Sequence, residues 1–200
     1  MIGWFLGAEP GAAFLASTGV VALGEMGDKT QLLALVLAAR YRKPVPIIAG
    51  IFVATLFNHA AAAALGAWLT SLVDPRMMRW VLGLSFIALA LWLLVPDRHD
   101  DAGDVNPRAA GSRIFGITLV AFFLAEMGDK TQIATVMLAA RYEALLPVTA
   151  GTTLGMMVAN VPAVLLGERA VKRVPIQWVH RIAALIFAAI GAAVLMGLGA

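Results

Sequence analysis

Twice along the chain, a glutamate, an aspartate and a lysine sit inside a stretch that is otherwise almost entirely apolar. GEMGDKTQ occupies 24–31 and AEMGDKTQ occupies 125–132. A charged side chain at the centre of a bilayer costs on the order of 3 kcal/mol on insertion scales, so six of them (Glu25, Asp28, Lys29, Glu126, Asp129, Lys130) call for partners or a wet cavity. Four carboxylates against two ammonium groups leave a formal surplus of two negative charges, which matches one divalent cation. All-oxygen sites of this kind suit Mg, Ca or Mn. If the metal leaves, that surplus cannot stay bare at the midplane, so protons are expected to take its place. Competition between two protons and one divalent ion is the core of an antiport cycle.

The other hexad residues have supporting roles to offer. On a continuous helix Glu25 and Asp28, three apart, would share a face, as would Glu126 and Asp129. Gly27 and Gly128 would admit close approach and ease unwinding, freeing carbonyls and half-helix ends to line the site. Thr30, Gln31, Thr131 and Gln132 supply neutral oxygens. Met26 and Met127 offer thioether sulfur, which would help Mn compete with Ca, or simply fill space. The structural alternative makes Glu25–Lys29 and Glu126–Lys130 ion pairs at i to i+4 that only hold helices together; it leaves Asp28 and Asp129 unneutralised. Asn58, His59 and Asn160 lie in other apolar runs and are candidates for lining a pathway or relaying protons, or for helix contacts. His99 and His180 fall at membrane edges and receive no role.

Elements that position these groups follow from composition. Of 200 residues, 61% are hydrophobic and 14% charged, too apolar for a domain wetted on all sides. Apolar runs fall near 12–39, 45–70, 78–95, 113–140, 146–167 and 176–198. Each is expected to be helical, since a bilayer requires backbone groups to pair within the segment and no strand-like alternation is present. With no cysteine, thiolate sites and disulfides are excluded. The opening residues lack a signal-peptide pattern and are taken as the mature terminus. The sequence pI near 9.7 reflects basic residues in short connectors, not a nucleic-acid patch.

The hexads are 101 residues apart (126 − 25), and the register continues: LAARY at 37–41 meets LAARY at 138–142, Gly50 meets Gly151, His59 meets Asn160 and Gly66 meets Gly167. The expected fold is an all-α polytopic membrane protein of six transmembrane helices. It divides into a first three-helix repeat at 1–96, an acidic linker at 97–112 and a second repeat at 113–200. An odd number of helices per repeat inverts the second copy. The positive-inside bias agrees: Arg40, Arg42, Lys43, Arg98, Arg108, Arg113, Arg169, Lys172, Arg173 and Arg181 fall on one side, against Arg76, Arg79 and Arg141 on the other. Both termini are then outside and the linker cytoplasmic.

The twin Glu-φ-Gly-Asp-Lys-Thr hexads resemble the signature of the GDT-type cation/proton exchangers, which include bacterial manganese exporters and Golgi and chloroplast calcium/manganese transporters. The resemblance covers nearly the whole chain and implies Mn²⁺ or Ca²⁺ as substrate in exchange for H⁺, with no cofactor and no enzymatic activity. Glu25, Asp28, Glu126 and Asp129 would be the ion-binding carboxylates, completed by Lys29, Thr30, Lys130 and Thr131. Lacking the organellar N-terminal extension, the chain looks like a bacterial inner-membrane member, for which manganese export is the expected role; its partners would be the metal, protons and lipid. Two rivals fit less well. An intramembrane aspartyl protease would need glycine where Glu25 and Glu126 stand, and a Tyr-Asp motif that neither Tyr41 nor Tyr142 begins. An exporter of small organic or amino-acid substrates would need groups that recognise an organic skeleton.

Overall fold

The computed structural model describes residues 10–94, 110–166 and 176–197, which form eight α-helices and no strand. They are α1 (Pro10–Glu25), α2 (Lys29–Tyr41), α3 (Pro44–Leu72), α4 (Pro75–Leu93), α5 (Gly111–Glu126), α6 (Lys130–Tyr142), α7 (Leu145–Leu166) and α8 (Ile176–Leu195). Most of the linker at 97–112, with His99, and Gly167 lie outside the described residues. By length and apolarity, α3 and α7 are each sufficient to cross a bilayer, and α5 and α6, bent by 70° at the break between them, are sufficient only when taken together.

The apolar runs at 12–39 and 113–140 are not the single helices that their hydrophobicity suggests. Each is broken inside the hexad. Gly27 and Gly128 take φ of 84° and 74°, a left-handed conformation that costs an L side chain roughly 1–2 kcal/mol and glycine almost nothing. The chain then restarts a helix from an extended aspartate: Asp28 (φ −78°, ψ 168°) precedes α2 and Asp129 (φ −77°, ψ 164°) precedes α6. Matched bonds close both turns, Asp28 N–H to the Glu25 carbonyl and Asp129 N–H to the Glu126 carbonyl, each 3.1 Å. The glutamine amides lock them, Gln31 Oε1 accepting from Gly27 N–H at 2.9 Å and Gln132 Oε1 from Gly128 N–H at 2.7 Å.

Much of the packing between the halves is reciprocal. A Cβ on Gly50 would meet the Phe115 carbonyl at 2.9 Å and Thr118 Cβ at 2.8 Å; one on Gly151 would meet the Phe14 carbonyl at 2.5 Å and Ser17 Cβ at 3.0 Å. These contacts interchange when every residue is shifted by the repeat offset, so α3 lies on α5 as α7 lies on α1. Phe86 and Phe187, also 101 apart, stack on each other with centroids 6.0 Å apart, joining α4 to α8. The outward faces carry Phe57, Trp68, Leu84, Leu91, Leu124 and Leu185, all exposed, as a chain solvated by lipid requires.

Candidate metal site at the helix breaks

Each break delivers its acidic groups to one place. Glu25 ends α1 and Asp28 caps the start of α2; Glu126 ends α5 and Asp129 caps the start of α6. The two carboxylates of a hexad therefore do not share a helix face, because the residues between them leave the helix. Instead, the ends of four half-helices converge. Carboxylate oxygens of Glu25, Asp28 and Asp129 lie within 4.8 Å of one another, although these side chains are almost wholly buried, at 0%, 2% and 4% exposure. Glu126, equally buried, stands beside this triad, within electrostatic reach of Asp28, Asp129 and Lys29.

Neighbouring groups hold the carboxylates by one edge. Thr30 Oγ1 donates to Glu25 Oε2 at 2.6 Å, while Thr131 Oγ1 lies 3.4 Å from both Glu126 Oε2 and Asp129 Oδ2. The other oxygens, Glu25 Oε1 and Glu126 Oε1, are buried and accept no hydrogen bond from the described residues. An anionic oxygen left in that condition is costly unless a cation or a proton meets it. The C-terminal ends of α1 and α5 bring partial negative charge to this point and the N-terminal ends of α2 and α6 partial positive charge, so the helix ends offset one another and the carboxylates set the sign of the site.

Lys29 turns away from the i to i+4 pairing within its own hexad. Lys29 Nζ reaches Asp129 Oδ1 of the other repeat at 2.9 Å, and Lys130 Nζ stands 5.8 Å from the centroid of the Trp92 ring. Gln31, beyond closing its turn, donates from Nε2 to the Ala159 carbonyl at 2.8 Å. Met26 is half-buried, whereas Met127 is 58% exposed, which takes its thioether out of the buried set.

Of the pathway candidates, Asn58 makes a helix contact, donating from Nδ2 to the Phe123 carbonyl at 3.1 Å. Asn160 Nδ2 bonds within its own helix to the Met156 carbonyl at 3.1 Å and lies 3.0 Å from Met156 Sδ. His59 is buried with both ring nitrogens lacking a partner among the described residues. One residue that sequence reasoning passed over packs on the first break without reaching the carboxylates: His180 Nε2 lies 2.8 Å from the Met26 carbonyl. The repeat register carried the missing signal, since it aligns His180 with Arg79 (180 − 101), an N–H donor in both copies.

Comparison with known proteins gives a consistent picture. The family described as divalent cation/proton antiporter GDT1 matches residues 13–101 and 114–199. A protein of Vibrio cholerae named "putative manganese exporter" is 49% identical over 172 residues, 86% of this chain and 84% of that protein. A GDT1-like protein of Synechocystis is 29% identical over 196 residues, covering 88% and 92%. A GDT1-like protein of Oryza sativa is 26% identical over 198 residues, covering 88% and 70%. No solved structure matches the chain.

Proposed function

The chain belongs to the divalent cation/proton antiporter GDT1 family, and from that premise we propose that it exports Mn²⁺ from the cytoplasm in exchange for protons, with Ca²⁺ the alternative substrate. The name of the Vibrio cholerae relative favours manganese. The observation that carries the reading is the meeting of Glu25 and Asp28 from one hexad with Asp129 from the other inside 4.8 Å, buried in an apolar chain. The four hexad carboxylates with the Lys29 and Lys130 ammonium groups carry two net negative charges, so a divalent ion or two protons neutralises the site and the two compete for the same oxygens. Glu126, Thr30 and Thr131 complete the set of oxygens.

In this proposal the chain crosses the membrane six times, as two inverted three-helix repeats at 1–96 and 113–200 joined by the 97–112 linker. The reciprocal contacts of Gly50 and Gly151 and the self-paired Phe86 and Phe187 are what an axis exchanging the two repeats would produce. The bias of basic residues supports an orientation with the termini outside a bacterial inner membrane and the linker in the cytoplasm.

Proteoliposomes loaded with a pH dye and offered Mn²⁺, Ca²⁺, Mg²⁺ and Zn²⁺ in turn test the reading. Mn²⁺ is expected to drive the fastest proton counter-flow, and Glu25→Gln or Asp129→Asn to abolish it in protein that remains folded. Proton flow with none of the metals, or a Glu25→Gln variant equal to the parent, would end it.

A further inference from the structure

The two hexads share a backbone but not their surroundings. Around the first, Met26 and Gly27 are half-buried and α8 supplies His180, whose Nε2 donates to the Met26 carbonyl at 2.8 Å. Around the second, Met127 is 58% exposed, and a Cβ on Gly128 would meet nothing within 4 Å. The repeat counterpart of His180 is Arg79 on α4, an exposed residue whose guanidinium lies 3.4 Å from where a Cβ on Gly197 would sit.

Helix packing shows the same imbalance. Among the described residues, α8 packs along α1, but the matching contact of α4 on α5 is slight or absent; α4 packs on α6, but that of α8 on α2 is slight or absent. All other principal contacts between the halves occur in reciprocal pairs. The α4–α8 pair, joined through Phe86 and Phe187, is therefore displaced as a unit from the symmetric position, with α8 against the break in the first hexad.

We infer that α4 and α8 move together as the gate of the transporter, and that His180 on the Met26 carbonyl is the latch that seals one side of the carboxylate site. The alternate state is the same arrangement with the repeats exchanged: α4 closes on α5, Arg79 donates to the Met127 carbonyl, and His180 releases Met26. The Met26 carbonyl lies just past the end of α1, where no helical N–H reaches it, and in a membrane interior such a group must find a donor or water. A donor that arrives and departs thus decides whether the loop is sealed or wet. His180 and Arg79 are positioning residues and touch no substrate.

The inference rests on the transport reading above, and its test separates the two. The cysteine-free chain allows single cysteines to be followed with a polar maleimide in detergent, where both faces are reachable. The Met127→Cys variant is expected to react at least about tenfold faster than Met26→Cys, the difference between an exposed and a covered site. Adding His180→Leu should speed labelling of Met26→Cys and slow Mn²⁺ flux in proteoliposomes by about tenfold, as expected for one lost buried hydrogen bond. Equilibrium Mn²⁺ binding, read by the spectrum of the bound ion, should stay unchanged because the carboxylates are intact. His180→Arg, which keeps an N–H donor, should restore slow labelling and flux, whereas Arg79→Leu should slow flux while leaving Met26→Cys slow to react. Equal labelling of the two cysteines, or a His180→Leu variant that labels and transports like the parent, would overturn the latch and leave antiport standing. A parent protein that moves no metal but shows the labelling pattern would overturn antiport and leave the latch.

Discussion

Lys29 of the first hexad is bonded to Asp129 of the second, Nζ to Oδ1 at 2.9 Å, so the ammonium occupies an oxygen of the carboxylate triad itself. A cation binding to Asp129 has to compete with this group, and on release Lys29 is ready to reclaim the oxygen. Replacing it by Lys29→Met leaves the triad one charge more negative. The expected result is tighter metal binding with slower release: apparent KM for Mn²⁺ and maximal flux should both fall, each by about tenfold, the equivalent of roughly 1.4 kcal/mol. Initial rates in proteoliposomes decide the matter, and a KM that rises would show that Lys29 assists binding instead of opposing it.

The two hexad threonines are not equivalent. Thr30 Oγ1 makes a short bond of 2.6 Å to Glu25, while Thr131 Oγ1 is divided at 3.4 Å between Glu126 and Asp129. A hydrogen bond to a charged group contributes about 1.5–3 kcal/mol and weakens steeply with length. Thr30→Val, which preserves shape, is expected to weaken Mn²⁺ binding about tenfold or more, and Thr131→Val by only about twofold. Titration of purified protein with Mn²⁺ reads both, and the reverse order would show that the donors are arranged differently in the metal-bound state.

Stability should depend equally on the two cross-repeat glycines. A methyl on Gly50 or on Gly151 runs into a backbone carbonyl of the other half, that of Phe115 or Phe14, and a carbonyl cannot rotate away as a side chain can. Gly50→Ala and Gly151→Ala are each expected to cost about 1–3 kcal/mol. Gly19→Ala, at an exposed position of α1 with nothing within 4 Å, should not destabilise. Thermal unfolding in one detergent compares the three; a Gly50→Ala variant as stable as Gly19→Ala would mean the halves do not pack this way in the membrane.

What the sequence reveals here is chemistry and repetition; what it conceals is direction. The spacing of Glu25, Asp28, Glu126 and Asp129 is explicit in the hexads, and Gly27 and Gly128 mark where the backbone can turn. Hydropathy cannot show that it does turn, because 12–39 is apolar on both sides of the hexad and the charges within it fit an unbroken helix as well as a broken one. Once the helix is broken, neighbours at i+3 and i+4 lose their meaning, which is why Glu25–Lys29 fails as a pair and Lys29 is found on Asp129. His180, which only the repeat register with Arg79 hints at, is hard to read for a related reason. Its importance comes from the Met26 carbonyl, a backbone group that every residue possesses and no motif advertises.

Proton competition gives the last test, and its sign follows from charge alone. A carboxylate that has taken a proton is neutral and offers a cation no net attraction, so acid on the side from which metal binds must weaken binding, and alkali must strengthen it up to the point where the triad is fully ionised. If one proton must leave for each metal bound, apparent KM for Mn²⁺ should rise about tenfold per pH unit on the acid side; if two must leave, about a hundredfold. Initial Mn²⁺ uptake between about pH 6 and pH 8, with the opposite face buffered, gives this slope. The Asp129→Asn variant removes one of the competing groups, so whatever binding it retains should show a shallower slope than the parent. A KM that does not change with pH in the parent would mean that protons and metal do not share Glu25, Asp28 and Asp129, and coupling would then have to be sought at another buried group, with His59 the first to examine.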